Sequence, residues 1–217
     1  MKCQCVVFDM DGVLFDSEAL VLQCWELTAE KHQIAHVRST CQKCLGINAA
    51  AAKQQFLETY GADFPYDKYK AEMSALYWEH VQAGKLALKS GVREILAALR
   101  ENHFAIGIAS STRQVVIQKQ LAMFGLENSF DQIIGGDMVQ RSKPEPEIYL
   151  RACEALGIPP GTAYAVEDSY NGIRAASRAG MHSVMIPDLL PPTAEMEQLA
   201  EHIFPDMQAF QEFLFSR

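Results

Sequence analysis

An α/β fold is what these 217 residues predict: a doubly wound, Rossmann-like parallel sheet interrupted by an inserted all-helical domain. Three observations predict it. The apolar run Cys5 to Phe8 stops at once in an acidic, glycine-containing turn, as a buried strand does when it delivers residues to a sheet edge. From Asp16 to about Lys89 the spacing of apolar residues is helical, with no convincing strand. From Gly91 onward strand and helix patterns alternate regularly. Residues 1–15 and 90–217 then form the core, and 16–89 the insertion.

Taken in order, the first strand is followed by a helical stripe through about His32. Leu20, Cys24 and Leu27 lie on one row, Val21, Trp25 and Thr28 on the next, and Ser17 stands where an N-cap would. Helices over Asn48 to Tyr60 and Tyr66 to Gln82 follow, the second carrying Tyr69, Met73, Leu76 and Tyr77 on one face. Val92 to Glu101 reads as the helix that returns the chain to the sheet. The strand Phe104 to Ala109 then leads into a helix from Arg113 to Phe124, closed by Gly125. Gln132 to Ile134, Ala163 to Val166 and His182 to Ile186 are the remaining strands. Helices from Glu145 to Leu156 and from Tyr170 to Ala179 separate them, with Pro144 suited to the start of the first.

Composition narrows the function. With 49% hydrophobic and 21% charged residues the chain is an ordinary globular one. A net charge of −8 and a pI near 5.2 argue against binding nucleic acid, whose affinity rests on Lys and Arg displacing counterions. The N-terminal apolar run is too short for a signal peptide, and no window approaches a membrane span, so a cytoplasmic protein without membrane contact is expected. Its six cysteines are then expected to be reduced. Cys41 and Cys44 form the one suggestive spacing, but no second ligand pair accompanies them and helix packing accounts for both. A monomer is favoured. The tail from Glu201 to Arg217, with Phe204, Phe210, Phe213 and Leu214, is expected to pack on the core.

In a doubly wound sheet the ligand sits at the carboxyl ends of the strands, so the residues just beyond each strand carry the argument. The first end supplies Asp9 and Asp11, two carboxylates one residue apart. Such a pair persists where a cation neutralises one member or where their proton affinities are driven apart, dividing nucleophile from acid. An acidic helix cap would look the same. The second end is Ser110, Ser111 and Thr112 running into a helix, where hydroxyls and unpaired N–H groups suit an anion and equally suit ordinary capping. Lys143 follows on a loop, where a lysine is usually just solvated. The fourth end is Glu167 and Asp168, hard-oxygen donors suited to Mg²⁺, with Ser169, Asn171 and Gly172 beside them. Each signal is weak alone; at successive strand ends of one sheet they converge on a phosphate and a metal.

In this order the motifs strongly resemble those of the haloacid dehalogenase-like hydrolase superfamily. Residues Phe8 to Leu14 look like its first motif, Ser110 its second, Lys143 its third, and Glu167 and Asp168 its fourth, with Asp16, Ser17 and Glu18 also typical. The insertion looks like the helical cap of the subgroup that contains β-phosphoglucomutases and small sugar-phosphate phosphatases. This resemblance implies an aspartyl-phosphate on Asp9, Asp11 as acid and then base, and Ser110, Ser111 and Lys143 on the phosphoryl oxygens. It also implies Mg²⁺ held by Asp9, Asp168, the Asp11 carbonyl and Glu167. The cap would read the rest of the substrate, with Asn48, Lys53, Tyr77 and Trp78 as candidates by position or chemistry.

Hydrolysis of a small phosphorylated metabolite is the favoured reaction, and resemblance to the capped relatives implies a sugar or sugar-alcohol phosphate. The dehalogenase branch generally lacks the second aspartate and Mg²⁺. The phosphomutases carry an Arg three residues after a cap Gly and a His at the hinge. Here Gly46 is followed by Ile47, Asn48 and Ala49, and Val21 stands at the hinge position. A noncatalytic binding module on the same fold is a third reading, and the intact motifs count against it.

Overall fold

In the computed structural model, which describes residues 3–216, the chain builds one six-stranded sheet. Its strands are β1 (Cys5–Phe8), β2 (Ala105–Ser110), β3 (Gln132–Gly135), β4 (Ala163–Glu167), β5 (His182–Met185) and β6 (His202–Ile203). All pairings are parallel, in the order β3-β2-β1-β4-β5-β6. The order reverses beside β1: the chain moves outward through β2 and β3 and then returns to β4 on the other side. That switch point leaves a crevice above β1 and β4. The doubly wound sheet expected from the alternation after Gly91 is the sheet found.

Strand β1 is buried on both faces, and its period of two feeds two different helical layers. Val6 and Phe8 join Ile106, Ile108, Val166 and Val184 against α5 (Val92–Glu101), α6 (Gln114–Met123) and α10 (Met207–Phe215). Cys5 and Val7 face the other way, with Ala165, Tyr149 and Ala176, under α7 (Glu147–Leu156) and α8 (Tyr170–Arg178). Each large apolar side chain buried this way contributes about 1.5–3 kcal/mol. Register carries the consequence upward. Phe8 pairs with both Ile108 and Val166, so Asp9 leaves the sheet level with Glu167, its N–H bonded to the Val166 carbonyl at 2.9 Å.

Between β1 and α5 lie four helices: α1 (Ser17–His32), α2 (Val37–Lys43), α3 (Ala49–Tyr60) and α4 (Tyr66–Gln82). Their common core stacks Trp25 on Phe56, ring centroids 4.6 Å apart, with Tyr66 against both. The two chain segments that enter and leave this group are tied side by side. Asp16 N–H donates to the Ala87 carbonyl and Lys89 N–H to that of Leu14, both at 2.9 Å, and Phe15 bridges antiparallel to Leu88.

Several local expectations are corrected. Leu27, placed on the buried stripe of α1, is 42% exposed, because the packed row runs through Leu20, Cys24, Trp25 and Thr28 instead. Ser17 does not cap α1; it is the first helical residue, and its hydroxyl turns to Asp11. Asn48 stands outside α3 as its cap, accepting from Ala51 N–H at 3.0 Å. Helix α7 starts at Glu147, two residues after the expected Glu145, with Pro146 as its cap; the Lys143–Pro144 peptide is cis. The short α2, α9 (Ala194–Leu199) and β6 were not anticipated, nor was α10 as a helix. In the tail, Phe210 is fully buried, and Phe204, Phe213 and Leu214 pack against the main core; Arg217 lies outside the described residues.

Candidate active site

The strand ends bring Asp9, Lys143 and Glu167 into direct contact. Lys143, fully buried at its side chain, donates to Asp9 Oδ1 at 2.7 Å, to Glu167 Oε1 at 2.6 Å and to the Ala109 carbonyl at 3.0 Å. Its three donors are thus all used, on the loop after β1 and the ends of β2 and β4, segments far apart in sequence. These charge-assisted bonds hold the Lys143 ammonium in its charged form, above the ordinary lysine range despite burial.

Glu167 is saturated by the protein. Besides Lys143, the Tyr149 hydroxyl donates to Oε1 at 2.7 Å, and the Ser169 hydroxyl donates to Oε2 at 3.0 Å. Ser169 also accepts from Gly172 N–H, capping α8. The helix start packs so closely that a Cβ at position 172 would overlap the Glu167 carboxylate, so glycine is required there. Asp168 is the opposite case. It is buried, and its Oδ1 has no partner. Gly12, at φ +78, lets the first loop press against it; a side chain there would meet the Asp168 carboxylate.

Asp11 is oriented from two sides, by Ser17 Oγ at 2.5 Å on Oδ1 and by Thr112 Oγ1 at 2.7 Å on Oδ2. Ser110, 1% exposed, accepts from Thr112 N–H at 3.1 Å, which leaves its hydroxyl proton for a ligand. Ser111 differs: its hydroxyl donates to the Gly46 carbonyl at 2.8 Å, and so joins the core to the inserted helices. Ser142 Oγ receives Asn48 N–H at 2.7 Å and Asn171 donates to the Leu45 carbonyl at 3.1 Å, so the loop before α3 is held by three core side chains.

Between the strand ends and the inserted helices lies a cavity of about 520 Å³. Asp9, Asp11, Ser110 and Ser111 form its floor, and Asn48, Tyr77 and Trp78 reach it from above. Lys53 does not: it pairs with Asp67 at 2.6 Å on the outer surface. Val21, at the hinge position, lines the cavity with an apolar group. Cys41 and Cys44 also border it, with both thiols pushed up to about 12 by burial, which makes them packing groups and poor nucleophiles.

Asp9, Glu167 and Asp168 offer oxygens within 4.8 Å of one another, the one such cluster among the described residues. Glu18 and Asp188, which the sequence reading did not place here, add two more buried carboxylate oxygens without partners, Glu18 Oε2 and Asp188 Oδ2. The other oxygen of Asp188 pairs with Lys89. Burial pushes Asp9 up to about 8, with Glu167 and Asp11 adding to the rise against the pull of Lys143. Burial and neighbouring acids also hold Glu18 and Asp168 well above the carboxylate range. Orphaned acceptors of one charge and one hardness fit a divalent cation such as Mg²⁺.

The sign of the pH dependence follows. A carboxyl whose folded-state pKa is raised stabilises the fold while protonated, and that contribution is lost as pH rises from about 4 through about 8. A cation binds the deprotonated cluster and reverses the loss. The rise in Tm caused by millimolar Mg²⁺ over chelator is therefore expected to grow steadily between about pH 5 and about pH 8.5. A gap that stays constant, or shrinks, with pH in thermal unfolding would rule out cation binding at this cluster.

Thr112, expected among the anion-facing hydroxyls, instead donates to Asp11, 101 residues away, and Tyr149 was not anticipated. Tyr149 is an ordinary apolar-face position of α7 whose hydroxyl happens to reach Glu167.

The model of the haloacid dehalogenase-like hydrolases matches residues 6–186, most of the chain and every strand end that supplies a site residue. The chain belongs to the haloacid dehalogenase-like hydrolases. Within that family it is 29% identical over 181 residues to the phosphorylated carbohydrates phosphatase of Thermotoga maritima, covering 83% of each chain. It is 31% identical over 187 residues to hexitol phosphatase B of Escherichia coli K12, covering 83% of this chain and 82% of that one. Among solved structures, the β-phosphoglucomutase of Clostridium difficile superposes with a TM-score of 0.80 at 21% identity, covering 99% and 98% of the two chains. That likeness speaks for the fold, helical insertion included. No helix of this family member, among its described residues, is long and apolar enough to cross a membrane.

Proposed function

We propose that this chain is a Mg²⁺-dependent phosphatase that hydrolyses a small phosphorylated sugar or polyol through an aspartyl-phosphate on Asp9. One observation carries the reading. Asp9 is gripped by Lys143 at the floor of the cavity, while Asp11, held by Ser17 and Thr112, stands two residues away on the same loop. One carboxylate is paired with a buried ammonium that opposes its protonation and the other is aimed by two hydroxyls, the division that nucleophile and acid require. Names of the relatives that act on phosphorylated carbohydrates and hexitols support the substrate class.

In the first step an Asp9 oxygen bonds to phosphorus, the ester P–O bond breaks, and the leaving oxygen takes its proton from Asp11. In the second, Asp11 as carboxylate takes a proton from water, whose oxygen displaces Asp9 and releases inorganic phosphate. Ser110 donates to a phosphoryl oxygen, and Lys143, its three protons already bonded, places positive charge beside the nucleophile and opposes protonation of Asp9. Asp9, Asp168 and the Asp11 carbonyl would hold Mg²⁺, which when bound would supply positive charge to offset repulsion between carboxylate and phosphate. Glu167, its oxygens occupied by Lys143, Tyr149 and Ser169, acts by positioning Lys143 and would support the metal from behind Asp9 and Asp168. The helices over residues 16–89 serve as a cap that excludes bulk water.

A phosphomutase is the second reading. No cation stands three residues after Gly46, where Ala49 lies, yet Lys70 and Arg113 both line the cavity and are positive charges that a second phosphate would meet. Phosphate release from hexose and hexitol phosphates, β-glucose 1-phosphate and p-nitrophenyl phosphate decides the matter, measured with Mg²⁺ and with chelator. Mg²⁺-dependent release from the sugar and polyol esters is expected. Conversion of β-glucose 1-phosphate to its 6-phosphate under a bisphosphate primer, without release, would overturn hydrolysis in favour of the mutase.

A further inference from the structure

Helices α4 and α6 face each other across the cavity and present polar residues at helical spacing. From α4 come Lys70, Ser74 and Tyr77; from α6 comes Gln120, and from its cap Arg113. Where the two rows meet, Gln120 Nε2 donates to the Tyr77 hydroxyl, and both residues are buried, at 1% and 7% exposure. Two functional ends of this pair remain unused. Gln120 Oε1 is a buried acceptor with no partner. The Tyr77 hydroxyl, already an acceptor, keeps its proton to donate. An orphaned acceptor inside a protein is costly, and a buried position on a cavity wall that Val116 and Met73 also line would hold an apolar residue if packing were its whole purpose.

A free donor beside a free acceptor is the complement of one group in particular, an alcohol, which gives one hydrogen bond and takes another. The pair is also in the right place, because Tyr77 and Gln120 line the same cavity as Asp9 and Asp11. The cation–π contact of Lys119 with the Trp78 ring, 3.6 Å above its centroid, fastens the same stretch of α4 to α6 and fixes the distance across the pair.

We propose that Tyr77 and Gln120 form a hydroxyl-reading pair that selects a polyhydroxylated leaving group. The inference rests on the phosphatase reading above and names the residues that set its specificity. It distinguishes an alcohol from an ether, a methylene or an aryl carbon at the same place, because only the alcohol satisfies both unused ends.

The test compares kcat/KM for sorbitol 6-phosphate and for p-nitrophenyl phosphate in the wild type, Gln120→Met, Tyr77→Phe and the double variant, with Tm measured for each. Met keeps the length of Gln, and Phe the shape of Tyr, so each change removes hydrogen bonding and little volume. The preference for the polyol ester over the aryl ester is expected to fall about 10- to 100-fold in either single variant. The double variant should fall little further, because each single change already breaks the shared unit. An equal loss on both esters, whether or not Tm drops with it, would mean a structural role and overturn the inference, as would an unchanged preference. Hydrolysis of neither ester by the wild type would defeat the phosphatase reading, and this one with it.

Discussion

Asp9→Asn is expected to lower phosphate release by at least about 10⁴-fold, because the amide cannot attack phosphorus and no other carboxylate is both gripped by Lys143 and set on the cavity floor. Asp11 is held by hydroxyls in the acid's position and cannot exchange roles without leaving Ser17 and Thr112. The fold should survive. Burial and the neighbouring Glu167 and Asp11 disfavour the charged form of Asp9, so in chelator near pH 8 the neutral amide is expected to raise Tm. Stabilisation by Mg²⁺ should shrink in the same variant, since one of the oxygens nearest the cation site is lost. Rate and thermal unfolding thus move in opposite directions in chelator. A variant that lost activity because it unfolded would show both falling.

Lys143→Met makes the second large prediction, and here stability is the main readout. The ammonium sits between Asp9 and Glu167, fully buried, with all its protons bonded. Removing it leaves two carboxylates facing each other without a counter-charge, a change that costs about 3–5 kcal/mol. For a chain of this size that is a fall in Tm of roughly 10 °C. Activity should be lost as well, because Asp9 loses the one positive charge that opposes its protonation and is pushed higher still. Adding Glu167→Gln to Lys143→Met is expected to recover part of the Tm and none of the activity, since it removes the stranded charge without restoring the anionic nucleophile. Urea or thermal unfolding of the single and double variants measures this. A single variant as stable as the wild type would show that Lys143 does not balance the buried acids.

The sequence made the candidate site visible because its parts are strand ends. Asp9, Ser110, Lys143, Glu167 and Asp168 each follow or precede an element whose apolar period is plain, and the parallel fold forces those ends together. Recognition of the family rested on the same residues. Groups that complete the site were invisible for a physical reason: they act from helix faces or loops whose local pattern is ordinary. Tyr149 reads as an apolar contact of α7, Glu18 as a charged residue in a first helical turn, and Gln120 as a polar residue on the middle of α6. Their roles come from contacts across the chain, Tyr149 with Glu167 and Gln120 with Tyr77.

Lys53 and Tyr77 make the same point within the cap. Both sit on helices of the insertion, and position alone ranked them together. One faces solvent and pairs with Asp67, and the other faces the cavity and meets Gln120. By itself, then, the sequence determined the sheet, the helical insertion and the residues at the strand ends, because periodicity and turn chemistry are local and encode those directly. Only the tertiary structure decided which hydroxyls aim Asp11, which carboxylate is saturated and which is orphaned, and which cap residues reach the cavity. Those depend on rotation about helix axes and on packing between segments up to about a hundred residues apart, which no local pattern encodes.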